Sequence, residues 1–234
     1  AAYRPNGLFR SRVLGEFPEA AEDSLIALRW VESALARELP PGGACHASAD
    51  VARFGGDCTV LAVRRGPVVT RLTAVRGEDT MATVGRIVRL AYEEAPETIA
   101  VDSIGLGAGV LDRLVEQGIA GAAGVNVALP AVDRERFANM RAELYWGLRE
   151  RLRTGDIALP ADPALREELT AIRYRVNSRG QIEIEGKDEM RRRGMHSPDR
   201  ADALMLLFAG GEGTGAVGAR PSASRHLREE MAGW

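Results

Sequence analysis

Lysine is almost missing from this sequence. Lys187 is the only one, and every other of the 31 basic residues is arginine, an excess that GC-rich coding produces without selection for guanidinium chemistry. Cysteine is nearly absent too: Cys45 and Cys58 are too few and too widely spaced for a zinc site, and are expected as reduced thiols of an intracellular protein. No run approaches the ~20 apolar residues of a membrane span, and the N-terminus has no apolar signal-peptide core. The formal net charge is only −2, so there is no global basic field, and any nucleic-acid partner must be held by a local patch. What remains is ordinary for a soluble protein: 234 residues, 45% hydrophobic and 27% charged, enough for one buried core. A cytoplasmic protein without a membrane partner is expected.

Punctuation divides the chain into three parts. Residues 1–43 read as an extended N-terminal arm and an amphipathic linker helix over 23–38, ended by Pro40-Pro41-Gly42-Gly43. Residues 44–210 carry the compact domain, and 211–234, rich in Gly, Ala, Ser and charge, read as a flexible tail. Within the domain, strands are expected at 44–53, 57–65 and 67–76, joined by tight glycine turns as hairpins are. A helix over 79–94, a buried strand over 98–102, a helix to Gln117 and a strand over 122–129 follow. Helices over 137–153 and 160–173, a hairpin over 174–185 and a last helix from Pro198 complete the pattern. This is an α/β domain with a mixed sheet flanked by helices.

Three separated segments end an apolar or small-residue run on an aspartate: Ala47-Ser48-Ala49-Asp50, Ile99-Ala100-Val101-Asp102, and Pro198-Asp199-Arg200-Ala201-Asp202-Ala203-Leu204. A carboxylate beside buried neighbours costs several kcal/mol unless it is paired or bound to a cation. Asp102 ends a strand of the parallel portion, where open sheets place ligands. Asp199 and Asp202 lie three apart in the first helical turn and share a face, with Ser197 expected as the cap and Pro198 as the first helical residue. Acids from two strands and a helix form an oxygen-rich set suited to Mg²⁺ or Mn²⁺, and two such ions are expected, for phosphodiester cleavage. The blander reading makes each aspartate a turn or cap residue. Arg134, Arg136 and Arg141, with Arg191, Arg192 and Arg193, are candidates for DNA phosphate contact or a solvated surface. Lys187 either reaches a scissile phosphate or pairs with Glu185 or Asp188, and Asp57 either supports the metal ligands or closes a turn. The run Gly105-Leu106-Gly107-Ala108-Gly109 is not a dinucleotide loop, because Val110 stands where the third glycine belongs. Its glycines are expected to let backbone pass close to Asp102.

Five motifs in order carry a resemblance that spans about 15–208. They are Gly15-Glu16-Phe17-Pro18, the segment Asp50 to Asp57, Val101 to Gly109, Asn139-Met140-Arg141-Ala142-Glu143, and Ser197 to Leu204. Together they resemble the C-terminal nuclease domain of large terminases, the DNA-packaging motors of tailed bacteriophages. The resemblance implies an RNase H-like fold and a metal-dependent endonuclease that cuts concatemeric viral double-stranded DNA in the host cytoplasm. It implies Asp50 and Asp102 as catalytic metal ligands, with Asp199 or Asp202 as the third acid, and His196 as a residue near the site. It also implies a terminase ATPase domain, a portal and a small terminase as partners. The chain has no G-x-x-x-x-G-K-[ST] phosphate loop, so a nuclease portion without the motor's ATPase is expected. A resolvase- or transposase-like nuclease on the same scaffold, or a non-catalytic DNA-binding packaging module, are the alternatives.

Overall fold

In the computed structural model, residues 23–52 and 56–209 are described. The arm over 1–19, the tail over 211–234 and the motif Gly15-Glu16-Phe17-Pro18 lie outside them. A five-stranded sheet is built from β1 (Cys45–Asp50), β2 (Thr59–Arg65), β3 (Val68–Val75), β4 (Thr98–Asp102) and β5 (Ala122–Val125), in the order β3-β2-β1-β4-β5. β1 pairs antiparallel with β2 and parallel with β4, so the sheet is mixed, as expected.

Side-chain alternation sorts the sheet into two faces. Ala47, Ala49, Leu61, Val63, Ile99 and Val101 pack in one core with α2 (Thr80–Glu94) and α3 (Leu106–Glu116). Val60, Ala62 and Ala100 point the other way, into a larger core. That core also holds α1 (Leu28–Leu35), α4 (Met140–Thr154), α5 (Pro163–Ala171) and α7 (Asp199–Leu206). Ser48 and Ala201, Ala203 on α7 are small, which lets the helix lie against β1, and the Ser48 hydroxyl donates to the Ala203 carbonyl at 2.6 Å. Among the described residues no helix is long and apolar enough to cross a membrane.

The elements differ from expectation in four places. The first helix covers only 28–35, because residues 23–25 are instead tied to the chain beyond α5: Leu25 N–H donates to Ile172 and Tyr174 N–H to Asp23. Leu25, Ile26, Val31 and Ala34 are buried in the larger core, so this helix packs on the domain. The fifth strand stops at Val125, where the Asn126 side chain accepts the Ala128 N–H and turns the chain. A short helix absent from the sequence reading, α6 (Lys187–Arg192), follows the hairpin β6 (Tyr174–Val176) and β7 (Ile182–Ile184). Lys187 therefore starts a helix and does not end a strand. Finally, Pro198 and not Ser197 is the N-cap of α7, with the Asp202 N–H bonded to its carbonyl at 2.7 Å.

Candidate active site

The sheet register brings two of the acids together. Ala49 pairs with Val101, and the next residue on each strand is an aspartate, Asp50 on β1 and Asp102 on β4. Alternation turns both toward the face covered by α7. Gly107 makes the turn after β4 possible, since a Cβ there would lie 1.7 Å from the Asp102 carbonyl oxygen. The expectation that a glycine of this turn permits close backbone approach to Asp102 therefore holds at Gly107. α7 delivers Asp199 and Asp202 from the opposite side, both buried (4% and 5% exposed).

The Lys187 ammonium stands among these groups. Its Nζ lies 3.0 Å from Asp202 Oδ2, 3.7 Å from Asp50 Oδ2 and 3.9 Å from Asp199 Oδ1. Neither partner considered from sequence pairs with it: Glu185 is bound by Arg193, and Asp188 by Arg191. Asp202 has two further partners. Its Oδ1 accepts the Tyr145 hydroxyl at 2.6 Å and Arg141 Nη2 at 3.2 Å. Asp199 Oδ2 accepts the Cys58 N–H at 2.6 Å, and Asp102 Oδ1 the Ile104 N–H at 3.0 Å.

These neighbourhoods separate the four carboxyls. Burial pushes Asp50 well above the usual carboxylate range, and the Asp202 charge adds to it while Lys187 opposes. Burial also raises Asp102 and Asp199, against the amide bonds each receives. Burial works in the same direction at Asp202, but Arg141, Lys187 and Tyr145 overcome it and hold that carboxyl below its ordinary value. Four carboxylates thus face two cations, Lys187 and Arg141. The imbalance is the sort a hard divalent cation relieves, and the donors are all oxygen, with no thiolate or imidazole among the four acids. Among the described residues, no three His, Cys, Asp or Glu side chains are already gathered in metal-ligating geometry, and the Lys187 ammonium stands between Asp50, Asp199 and Asp202.

A cleft of about 540 Å³ opens onto this cluster, and Asp50, Asp57, Lys187, Arg191, His196 and Asp199 are among its lining residues. His196 is exposed on its wall. Asp57 accepts Arg191 Nη2 at 3.2 Å, so it anchors an arginine of the cleft wall.

The six arginines proposed for DNA divide. Arg141 is half-buried, its Nη1 donating to the Glu185 carbonyl at 2.7 Å and its Nη2 to Asp202, and its guanidinium lies over the Tyr145 ring. It braces an acid and is not a free phosphate contact. Arg193 is likewise committed, with two bonds of 2.6 Å to the Glu185 carboxylate and one to the Ala171 carbonyl. Arg134, Arg136, Arg191 and Arg192 are exposed. The loop bearing Arg134 and Arg136 is held by Glu143, whose carboxylate accepts the Val132 and Asp133 N–H groups. Sequence reasoning missed Tyr145, although its position four residues after Arg141 puts the two on one helix face.

No protein-family profile matches the chain. A probable large terminase subunit of Enterobacteria phage P7 is 25% identical over 235 residues, covering 88% of this chain and 45% of that protein. The chain therefore spans about half the length of the curated relative it matches. Among solved structures, the nuclease domain of the large terminase subunit gp2 of bacterial virus Sf6 aligns with a TM-score of 0.72 at 25% identity, over 79% of this chain and 97% of that one. A variant of the same domain with manganese and beta-thujaplicinol gives 0.73 at 24% identity, over 79% and 97%. The large terminase nuclease of thermophilic phage G20c with bound magnesium gives 0.61 at 19% identity, over 80% and 97%. In sequence and in its mixed-sheet fold, this chain is similar to the nuclease domain of the large terminase subunit of bacterial viruses.

Proposed function

We propose that the chain is a divalent-metal-dependent endonuclease that hydrolyses phosphodiester bonds of double-stranded DNA and cuts viral concatemers during genome packaging. The observation that carries this reading is the convergence of Asp50, Asp102, Asp199 and Asp202, from two strands and a helix, beside an open cleft that Asp50 and Asp199 line. The manganese- and magnesium-bound relatives support it. In this reading Asp50 and Asp102, with Asp202 or Asp199, would hold Mg²⁺ or Mn²⁺ after some rearrangement of the Lys187 ammonium that stands among them. The bound metal supplies an activated water and stabilisation of the leaving oxygen.

The chain's own groups do the rest. Asp202 stays ionised at neutral pH because Arg141 and Tyr145 hold its Oδ1, which leaves Oδ2 to face the cleft side with Lys187. The Lys187 ammonium lies against the carboxylates that would hold a cation and lines the cleft, where it could meet a phosphate oxygen. His196 lies on the cleft wall, near the acids in this reading. The exposed Arg134, Arg136, Arg191 and Arg192 give the DNA backbone its local basic contacts. In the packaging motor the DNA would arrive through an ATPase domain, with portal and small terminase as partners.

Plasmid cleavage by the purified chain with EDTA, Mg²⁺ or Mn²⁺ tests the reading. Cutting should need the metal and vanish in Asp102→Ala. A folded Asp102→Ala protein that cuts as well as the parent would sink it.

Metal binding should also strengthen with pH. Asp50, Asp102 and Asp199 have raised values, so each holds its proton above the usual carboxylate range, and a cation must displace it. Affinity therefore rises as pH climbs through those raised values, about tenfold per pH unit for each proton displaced. Mn²⁺ titration followed by electron paramagnetic resonance across pH 4.5 to pH 8 reads this directly, and an affinity that does not fall toward the acid end would contradict it.

A further inference from the structure

The helix that carries half of the acids cannot hold its own first turn. α7 has eight residues, about two turns, and a helix so short has little stability of its own. Its N-cap, Pro198, offers no side-chain acceptor. The first-turn amides are satisfied instead from a different helix. Glu168 on α5 accepts Arg200 N–H at 2.7 Å and Ala201 N–H at 3.0 Å on one carboxylate oxygen, Oε2. Its Oε1 accepts Arg200 Nη1 at 3.2 Å, and Arg200 Nε reaches Asp162 at 3.2 Å. Asp162 is itself the N-cap of α5, through the Leu165 N–H. The two helix starts are thus cross-braced, and the bonded amides are those of the two residues between Asp199 and Asp202.

Core packing does not ask for a carboxylate here. Glu168 follows Leu165 and precedes Leu169, both fully buried on the face of α5 that meets the core, and its own side chain is 15% exposed. Burial pushes Glu168 up to about 7 despite three hydrogen bonds, so the carboxylate carries a desolvation cost that filling the core alone does not require. The other end of α7 is held in a matching way, with Arg64 Nε donating to the Leu207 carbonyl at 3.0 Å. A negative group at the N-terminus and a positive one at the C-terminus both suit the helix dipole.

We propose that Glu168 is a positioning residue of the acid cluster: by capping α7 from outside, it fixes where Asp199 and Asp202 present their carboxylates to a metal ion. This rests on the metal-centre reading above. The test measures Mn²⁺ affinity of the purified chain by electron paramagnetic resonance, together with amide hydrogen exchange at Arg200 and Ala201. Glu168→Ala should weaken Mn²⁺ binding about 10- to 100-fold, the usual loss for a residue that supports metal ligands. It should also deprotect those two amides. Glu168→Gln should restore most of both, because an amide oxygen still accepts the two N–H bonds. Leu169→Ala, on the same helix, should lower the melting temperature at least as much and leave Mn²⁺ affinity unchanged. Parent-like Mn²⁺ affinity in folded Glu168→Ala overturns the proposal, as does equal loss in Leu169→Ala. If the parent protein binds no Mn²⁺, the metal reading fails, and unchanged exchange in Glu168→Ala then overturns the bracing role as well.

Discussion

Replacing Asp50 with asparagine should abolish metal-dependent cleavage, by on the order of 10³-fold or more, and make the metal-free protein more stable. The two effects share one cause. Asp50 sits at the end of β1 among three other carboxyls, and burial first, then the Asp202 charge, disfavours its ionised form. Asparagine keeps the shape and removes the charge. Lys187 loses one attraction but keeps its closest partner, Asp202 at 3.0 Å. The sign with pH follows from the raised value. The folded protein binds the Asp50 proton more tightly than the unfolded chain, so the parent's stability from this group is present at low pH and lost as pH rises through the raised value. The advantage of Asp50→Asn should therefore be small at pH 5 and larger at pH 8. One kcal/mol moves the melting midpoint of a domain this size by roughly 2–4 °C, which differential scanning calorimetry resolves. A variant less stable than the parent at pH 8 would mean that Asp50 is held mainly by attraction to Lys187.

Asp202→Ala should move stability the other way, with a loss of about 3–5 kcal/mol. Asp202 is the one acid of the four held below its ordinary value, and three partners depend on it. Its removal leaves the Tyr145 hydroxyl and one arm of Arg141 buried without an acceptor, in a core that includes Leu204 and Leu148. The loss should shrink when Arg141 is replaced as well. A double-mutant cycle with Arg141→Met, followed by urea denaturation, should show a coupling on the order of 1–3 kcal/mol. Additive losses would show that the two side chains do not act as a pair. Two neighbouring aspartates of one cluster thus have opposite expected effects, one held by its neighbours and the other strained by them.

Much of this arrangement was legible before any coordinates. The alternation in Ala47-Ser48-Ala49-Asp50 and Ile99-Ala100-Val101-Asp102 marks two buried strands, and each ends on the acid that the register sets beside the other. The three-residue spacing of Asp199 and Asp202 sets them on one helical face. The lost parts have physical reasons. α6 is a single short helix of mostly charged residues with one buried side chain, Met190, so it has no hydrophobic period to read. The fifth strand was drawn too long because Val127 and Leu129 continue its apolar pattern past the turn at Asn126. Arg141 and Arg193 looked like surface charges because a sequence does not say which guanidinium meets a buried carboxylate. Glu168 and Tyr145 make their hydrogen bonds to residues more than thirty positions away, which the local pattern does not reveal.

The mixed sheet also sets an order of events. β1, β2 and β3 are consecutive antiparallel strands, and their pairings close short loops. The acid cluster needs the long ones: Ser48 meets Ala203 across 155 positions, and the Cys58 amide meets Asp199 across 141. Non-local contacts of this kind form late, since the entropy of closing the loop must be spent before the contact returns anything. A growing chain can therefore lay down its antiparallel strands early, but it has no complete set of carboxylates until nearly the whole domain has been made.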